Sequence, residues 1–395
     1  MSKIEEMVKR LCPNGVERVF LTNIASILYG YPFEASLFTE NDKYIPLIRI
    51  RDILSGTPST FYIGDYSDEY IIKEGDMLVG MDGNFNLRKW KSRNGLLCQR
   101  TCKIESKDES VVLNNYLYQI LVPLFKRIED NTPSGSVKHL SARTINNISI
   151  PLPPLTIQRE IVSVLDSFTT LIDKMKQEVV LRKKQMEYYR EKLLSFDEEI
   201  RKLSFGKDFT LKARIGWQGL TKNEYIQDGE YKLITGTDFT TNNTIDFDHC
   251  VYVSKERYEQ DPYIQIREDD VLITKDGTLG KIAYISELPM PATLNGGVFV
   301  VRGKTGEVTQ RFLKYYLISN NFKNWIEQNH TAGSIMHLTQ KLLEKFNIPV
   351  PSPSTQENIV STLDAFEQYI SKLERLITLR EKQYAYYREK LLTFE

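Results

Sequence analysis

A long internal repeat constrains this chain more than any other feature. Residues 150–196 read IPLPPLTIQREIVSVLDSFTTLIDKMKQEVVLRKKQMEYYREKLLSF, and residues 348–394 read IPVPSPSTQENIVSTLDAFEQYISKLERLITLREKQYAYYREKLLTF. At an offset of 198 positions, 24 of the 47 residues are identical. Repetition on this scale sets architecture before any other signal is read. It divides the chain into an N-terminal segment (1–14), a first lobe (15–149), a first repeat helix (150–203), a second lobe (204–347) and a second repeat helix (348–395).

Both repeats carry a seven-residue rhythm. In the first, Ile161, Leu165, Phe168, Ile172, Met175, Val179, Arg182, Met186, Tyr189, Leu193 and Phe196 alternate in steps of four and three. Ile359, Leu363, Phe366, Ile370, Leu373, Ile377, Arg380, Tyr384, Tyr387, Leu391 and Phe394 do the same in the second. An apolar seam at a 3.5-residue period predicts a coiled coil. Pro151, Pro153 and Pro154 precede the first helix; Pro349, Pro351 and Pro353 precede the second. Proline removes a helical donor and extends its predecessor, so each run is a stiff lead-in. Neither seam can be buried alone, and the nearest partner is the other copy. Because the chain enters both helices from equivalent lobes, a pseudo-twofold pair must be antiparallel, with the lobes at its opposite ends. Arg182 and Arg380 interrupt the seams. They either fix register as buried cations or reach out to solvent.

The chain has 52 basic and 52 acidic residues, and zero net charge first argues against a nucleic-acid partner. The distribution argues otherwise. Residues 83–104 hold Arg88, Lys89, Lys91, Arg93, Arg100 and Lys103 and no acid. A local patch of this kind supplies phosphate contacts while the remainder stays neutral; a merely solvated hairpin is the alternative. No apolar run is long enough for a membrane span. The first residues, MSKIEEMVKRLCPNG, lack a secretory apolar core, so a cytoplasmic location is expected. Cys12, Cys98, Cys102 and Cys250 form neither metal-like nor disulfide-like spacing and read as reduced thiols.

The lobes are themselves diverged copies. EGDMLVGMDG (74–83) parallels EDDVLITKDG (268–277), and GSVKHLS (135–141) parallels GSIMHLT (333–339). YIPLIRI, DMLVGM and CKI in the first lobe, and EYKLIT, DVLIT, KIAYI and VFVV in the second, read as strands. NNYLYQILVPLFKRI and VTQRFLKYYLISNNFKNWIEQ read as helices. The fold class is therefore α+β: two α/β lobes of mixed strands, separated by two long helices. The Asp-Gly turns predict hairpins. The polar, basic and aromatic residues that follow suit a loop reaching into a DNA groove, with Asn84 and Asn86 beside the basic run and Lys275, Thr278 and Lys281 in the second lobe. Ser134, Ser136, Lys138, His139, Ser334 and His337 either contact phosphates and bases or, for Ser and His, cap the next helix while Leu140 and Leu338 pack beneath.

No catalytic set is apparent. Gly303-Lys304-Thr305 lacks the glycine of a phosphate-binding loop, since Val298 stands five residues before Gly303. The sole Pro-Pro pair lies in LPPL rather than in the Asn/Asp-Pro-Pro-Tyr/Phe motif of amino-methyltransferases. The four histidines, at 139, 249, 330 and 337, have no metal spacing.

Two divergent lobes, each followed by a proline-rich lead-in, QREIVSVLDSF or QENIVSTLDAF, and YYREKLLSF or YYREKLLTF, closely resemble the specificity subunit of type I restriction–modification enzymes. The resemblance covers nearly the whole chain, and EGDMLVGMDG and EDDVLITKDG are similar to that family's target-recognition domains. It implies a non-catalytic reader of double-stranded DNA. Each lobe would read one half of a bipartite, asymmetric site, and the paired helices would set the spacer. It further implies docking of two modification subunits, which carry S-adenosylmethionine, and of two restriction subunits, which use ATP and Mg, with no cofactor in this chain. The competing reading is a coiled-coil scaffold presenting two lobes that bind other ligands. EMVKRL (6–11) resembles EEIRKL (198–203), so the N-terminus should continue where the second helix stops, with the termini close together.

Overall fold

The computed structural model describes residues 3–133, 138–214, 219–275, 279–329 and 338–394. The chain divides into two compact units, Met1–Lys176 with Arg375–Glu395, and Gln177–Glu374. The first long helix runs from Leu155 to Leu193 and the second from Pro353 to Thr393. Each gives one half to each unit. At 1.5 Å per residue they are roughly 58 and 61 Å long.

In the first unit a four-stranded antiparallel sheet has the order Ala25–Tyr29, Thr101–Ser106, Met77–Gly80, Leu87–Lys89. Successive side chains of a strand point to opposite faces. Met77 and Val79 accordingly enter the core that holds Tyr116, Leu117, Leu121 and Phe125 of the helix Asn114–Asp130, whereas Leu78 enters a second core with Ile48, Ile72 and Leu97. The sheet is thus buried on both faces, which explains its unbroken apolar run MLV. A five-stranded sheet of shorter strands pairs Ile45–Ile48 in parallel with Gly95–Leu97.

The second unit repeats this plan. Its sheet order is Phe209–Lys212, Val298–Gly303, Val271–Thr274, Ile282–Tyr284, again antiparallel throughout. Val271 and Ile273 face the core of the helix Gln310–Ile318, and Leu272 faces the opposite core with Ile234, Ala292 and Leu294. Tyr231–Ile234 and Ala292–Leu294 form the matching parallel pair. The expected strands are all present. The expected helix 308–328 is instead two, Gln310–Ile318 and Asn320–Asn329, because Ser319 is extended (ψ 166°) and its hydroxyl donates back to the Tyr316 carbonyl at 2.7 Å.

The long helices run antiparallel. In the first unit Phe168 stacks on Tyr387 at 5.6 Å and Lys176 pairs with Glu381 at 2.7 Å, so one index falls as the other rises. In the second unit Tyr189 stacks on Phe366 at 5.7 Å and Lys183 pairs with Glu374 at 2.8 Å. Ile161, Leu165, Ile172, Val179, Ile359, Leu363, Ile370 and Ile377 are buried, as the seam requires; Phe168, Met175, Phe366 and Leu373 are half-buried. Arg182 does not act as a buried register cation: its Nε donates to Glu178 and its Nη1 to Gln185 on the same helix, both at 2.7 Å, and its guanidinium lies 5.5 Å over the Tyr369 ring.

A glutamine seats each helix on its lobe. The Gln158 carbonyl oxygen accepts from the Leu113 backbone N–H at 3.0 Å, and its amide donates to the carbonyls of Val111 at 3.0 Å and Pro153 at 2.8 Å. Gln356, 198 positions on, accepts from the Thr309 N–H at 3.0 Å and donates to Glu307 and Pro351 at 2.7 and 3.1 Å. Both side chains are fully buried and fully satisfied.

The termini do meet. The helix Lys3–Leu11 packs Ile4 into the same core as Leu391 and Leu392, Lys390 pairs with Glu5 at 2.8 Å, and Lys3 with Glu160 at 2.9 Å. The two stretches that suggested this are not structural counterparts, however. Residues 6–11 are helical, whereas 198–203 turn into the strand Lys202–Ser204, whose equivalent is Arg18–Phe20. These strands pair with Asn347–Pro349 and Ser149–Pro151 respectively.

Candidate nucleic-acid interface

The strand-turn motif and the Gly-Ser-x-x-His-Leu motif of each lobe come together through the backbone. The Leu140 N–H donates to the Met81 carbonyl at 2.7 Å, and the Leu338 N–H to the Lys275 carbonyl at 3.1 Å. In the first lobe side chains reinforce the junction: His139 Nδ1 lies 2.6 Å from Asp82, and Arg100 pairs with the other Asp82 oxygen. Partial burial raises the Asp82 pKa, but the hydrogen bonds from His139 and Arg100 outweigh it and hold the carboxyl below the usual aspartate range. His139 is therefore a junction residue, not a helix cap. The caps are Ser141, accepting from the Thr144 N–H, and Thr339, accepting from the Leu342 N–H. Leu140 and Leu338 are buried beneath, as expected. Ser134, Ser136, Thr278, Ser334 and His337 lie outside the described residues.

The basic run 83–104 separates into engaged and unengaged residues. Lys89 donates to Asn115 at 2.6 Å and sits 5.0 Å over the Tyr118 ring, which pins it to the helix Asn114–Asp130. Arg93 donates to the carbonyls of Asp42 and Tyr44. Lys103 bridges Asp76 and Glu105 at 3.4 and 2.8 Å. In the second lobe Arg302, at the position equivalent to Glu105, grips Asp270 with two contacts of 2.6 Å; Asp76 and Asp270 occupy the same place in the repeated motif, so each carries a cation from the neighbouring strand. Lys103 is thus part of the sheet's own wiring. Arg88 and Lys91 are exposed, and neither side chain makes a hydrogen bond or ion pair among the described residues. The interleaved aromatic residues are core rather than stacking platforms: Phe85 and Trp90 are 1% and 2% exposed, and the indole N–H donates to the Arg93 carbonyl.

Each lobe has a groove between the strand that follows its Asp-Gly turn and its neighbouring helix. The first, about 620 Å³, is lined by Asn86 and Arg88 together with Arg18, Lys126, Arg127 and Arg388, against Asp130 and Glu389. The second, about 520 Å³, is lined by Lys281, Lys323, Thr240, Thr241 and Asn243, against Glu327. Arg18, Lys126, Arg127, Arg388 and Lys323 carry no local sequence signal; only the fold gathers them. Asn84 is exposed in the turn, Lys138 donates to the Glu129 carbonyl at 2.6 Å, and Lys275 lies 5.4 Å over Phe299.

A second surface runs along the helices. Leu181 and Tyr188 are 61% and 62% exposed, and their equivalents Leu379 and Tyr386 are 57% and 61% exposed. These pairs are identical in the repeat although they stand off the seam. The arrangement holds no catalytic constellation among the described residues, and no cluster there could bind a metal. The Cys102 thiol, fully enclosed, is pushed up to about 12 by burial and so is not a nucleophile. No described helix is long and apolar enough to cross a membrane.

Comparison with known proteins adds a family. The family described as "Type I restriction modification DNA specificity domain" matches residues 13–181 and 218–381. The EcoBI type I restriction enzyme specificity subunit of Escherichia coli is 29% identical over 386 residues, covering 91% of this chain and 81% of that protein. The EcoR124I/EcoR124II specificity subunit, also from E. coli, is 29% identical over 309 residues, 74% of this chain and 73% of that one. The crystal structure of a type I restriction-modification S subunit from M. genitalium superposes with a TM-score of 0.55 at 16% identity, covering 96% of this chain and 97% of that one, and so shares its fold.

Proposed function

This chain belongs to the family of type I restriction modification DNA specificity domains, and on that premise we propose that each of its two lobes reads one half of a bipartite, asymmetric DNA site. The chain's role is recognition; it is the specificity subunit of a type I restriction–modification system and not its catalyst. The observation that carries the two-half reading is duplication. Both lobes present the same sheet, the same junction of motifs and a basic groove at the same place, yet differ in the residues that line it. Phosphate contacts from Arg88 and Lys91, and from Lys281 with Lys323, would position each lobe, while groove residues such as Asn86 and Asn243 face bases.

The paired helices set the distance between half-sites and dock two modification subunits. Equal exposure of Leu181 with Tyr188 and of Leu379 with Tyr386 supports two copies of one partner on two equivalent patches. The methyl donor S-adenosylmethionine belongs to those subunits, and ATP with Mg to two restriction subunits that complete the nuclease. Co-expression with the cognate methyltransferase tests the assignment. The expected result is one stable complex that methylates a split site, with L181E/L379E reducing the amount of methyltransferase retained. A complex that forms equally well with both substitutions would remove these patches from the interface.

A further inference from the structure

The helix seam does little to tell the two helices apart: eight of its eleven positions are identical between them, and Met175/Leu373, Val179/Ile377 and Met186/Tyr384 are apolar or aromatic in both. Ile161, Leu165, Phe168 and Ile172 have Ile359, Leu363, Phe366 and Ile370 as their equivalents. The stacked pairs Phe168–Tyr387 and Tyr189–Phe366 are the same pair of repeat positions in exchanged roles, with centroid separations of 5.6 and 5.7 Å and interplanar angles of 27° and 26°. A copy of the first helix from a second chain would offer a closely similar apolar surface and the same Phe and Tyr at these stacking positions. Apolar complementarity therefore does not by itself bar a helix from pairing with its own copy in a second chain.

The flanking charges are not interchangeable. Lys176 and Lys183, on the first helix, contact Glu381 and Glu374, on the second, at 2.7 and 2.8 Å. In repeat numbering Lys176 is equivalent to Glu374, and Lys183 to Glu381. The first helix supplies lysine at both contact positions and the second supplies glutamate at both. Pairing of two first helices would set Lys176 against Lys183 twice; pairing of two second helices would set Glu374 against Glu381 twice. We propose that these two ion pairs are a pairing code: they direct each long helix to its non-identical partner within one chain and bar a second copy of the chain from exchanging helices. Charges flanking a coiled-coil seam choose partners in this way, and the repulsive alternatives matter as much as the attractive ones.

The full-length chain provides the test, because one pair of substitutions inverts the code without altering composition. K176E/E374K places like charges at both contacts within a chain and opposite charges at every corresponding contact between two chains. The quadruple variant K176E/K183E/E374K/E381K restores opposite charges within the chain. K176E alone is a milder inversion, confined to the first helix. Sedimentation velocity over a concentration series, at low and high salt, reads the monomer–dimer equilibrium, and circular dichroism checks that helix content is kept. For K176E/E374K the dimer association constant should rise on the order of tenfold over the parent at low salt, K176E should shift it the same way by less, and high salt should shrink both effects. The quadruple variant should match the parent. A parent-like mass distribution for both K176E/E374K and K176E would overturn the proposal, even with a lowered melting temperature, since the pairs would then stabilise without choosing. Dimerisation of the quadruple variant would overturn it as well.

Discussion

Of the six basic residues between 83 and 104, two have no side-chain partner among the described residues, and that number fixes a measurable slope. Binding to duplex DNA releases about 0.9 counterion per phosphate neutralised, so the logarithm of affinity falls against the logarithm of salt in proportion to the contacts made. Arg88 and Lys91 are exposed and unpaired, whereas Lys89, Arg93, Arg100 and Lys103 are held by Asn115, by carbonyls, by Asp82 and by Asp76 with Glu105. Substitution R88A/K91A in the assembled complex should therefore flatten the slope by about 1.8 units. Raising salt from about 50 to 200 mM should then cost the variant roughly tenfold less affinity than it costs the parent. Because the lost contacts are to phosphate, the weakening should be equal on cognate and non-cognate duplexes. Fluorescence anisotropy over a salt series measures both quantities. R93A and K103A should leave the slope unchanged and lower the melting temperature, since each breaks an internal contact. An unchanged slope in R88A/K91A, or an equal flattening in R93A, would refute the division of the patch.

Three further outcomes are expected. Removing the buried glutamine in Q356A orphans the Thr309 N–H and should cost roughly 1–3 kcal/mol, read as a melting temperature several degrees lower; Q158A should act alike through Leu113. Asp82 has a depressed folded pKa, so its contribution is complete above the unfolded value and is lost as pH falls through the folded one. The gap in melting temperature between the parent and D82N should accordingly be full at neutral pH and close on acidification. Insertion of four residues after both Val179 and Ile377 lengthens each helix by about 6 Å and turns it about 40° past a full turn. Two base-pair steps span about 6.8 Å, so the methylated site should keep both halves and gain one or two base pairs of spacer; an active variant with the original spacing would show that the helices are not the ruler.

The repeat made the helices legible because a seven-residue seam is a local pattern. Strands such as DMLVGM were legible for the same reason, their apolar runs meeting a core on each face. What escaped the sequence depends on distant partners. Nothing near Lys89 signals Asn115, and nothing near Arg93 signals the carbonyls of Asp42 and Tyr44. The basic run read as one patch but divides by its tertiary contacts. Phe85 and Trp90 read as loop aromatics suited to a groove, yet the sheet needed them as core. Arg18, Lys126, Arg127 and Arg388 join Arg88 only after folding. Leu181, Tyr188, Leu379 and Tyr386 did leave a signal, identity between repeats at positions off the seam, which a seven-residue rhythm does not mark. The likeness of EMVKRL to EEIRKL reported the meeting of the termini through stretches that fold differently.

Independent reading by two lobes is the central claim, and exchange of one lobe tests it most directly. Residues 15–149 carry their own four-stranded sheet and two apolar cores drawn from that lobe alone, share a third core with the long helices through Ile157, Ile161, Leu165, Leu391 and Leu392, and join the first long helix through the segment holding Pro151, Pro153 and Pro154. Replacing 15–149 with the corresponding lobe of another family member, and sequencing the methylome of a strain that carries the chimera, reads the new target base by base. One half-site should change while the other half-site and the spacer stay as they were. A change in both halves together, or in neither, would contradict independent reading.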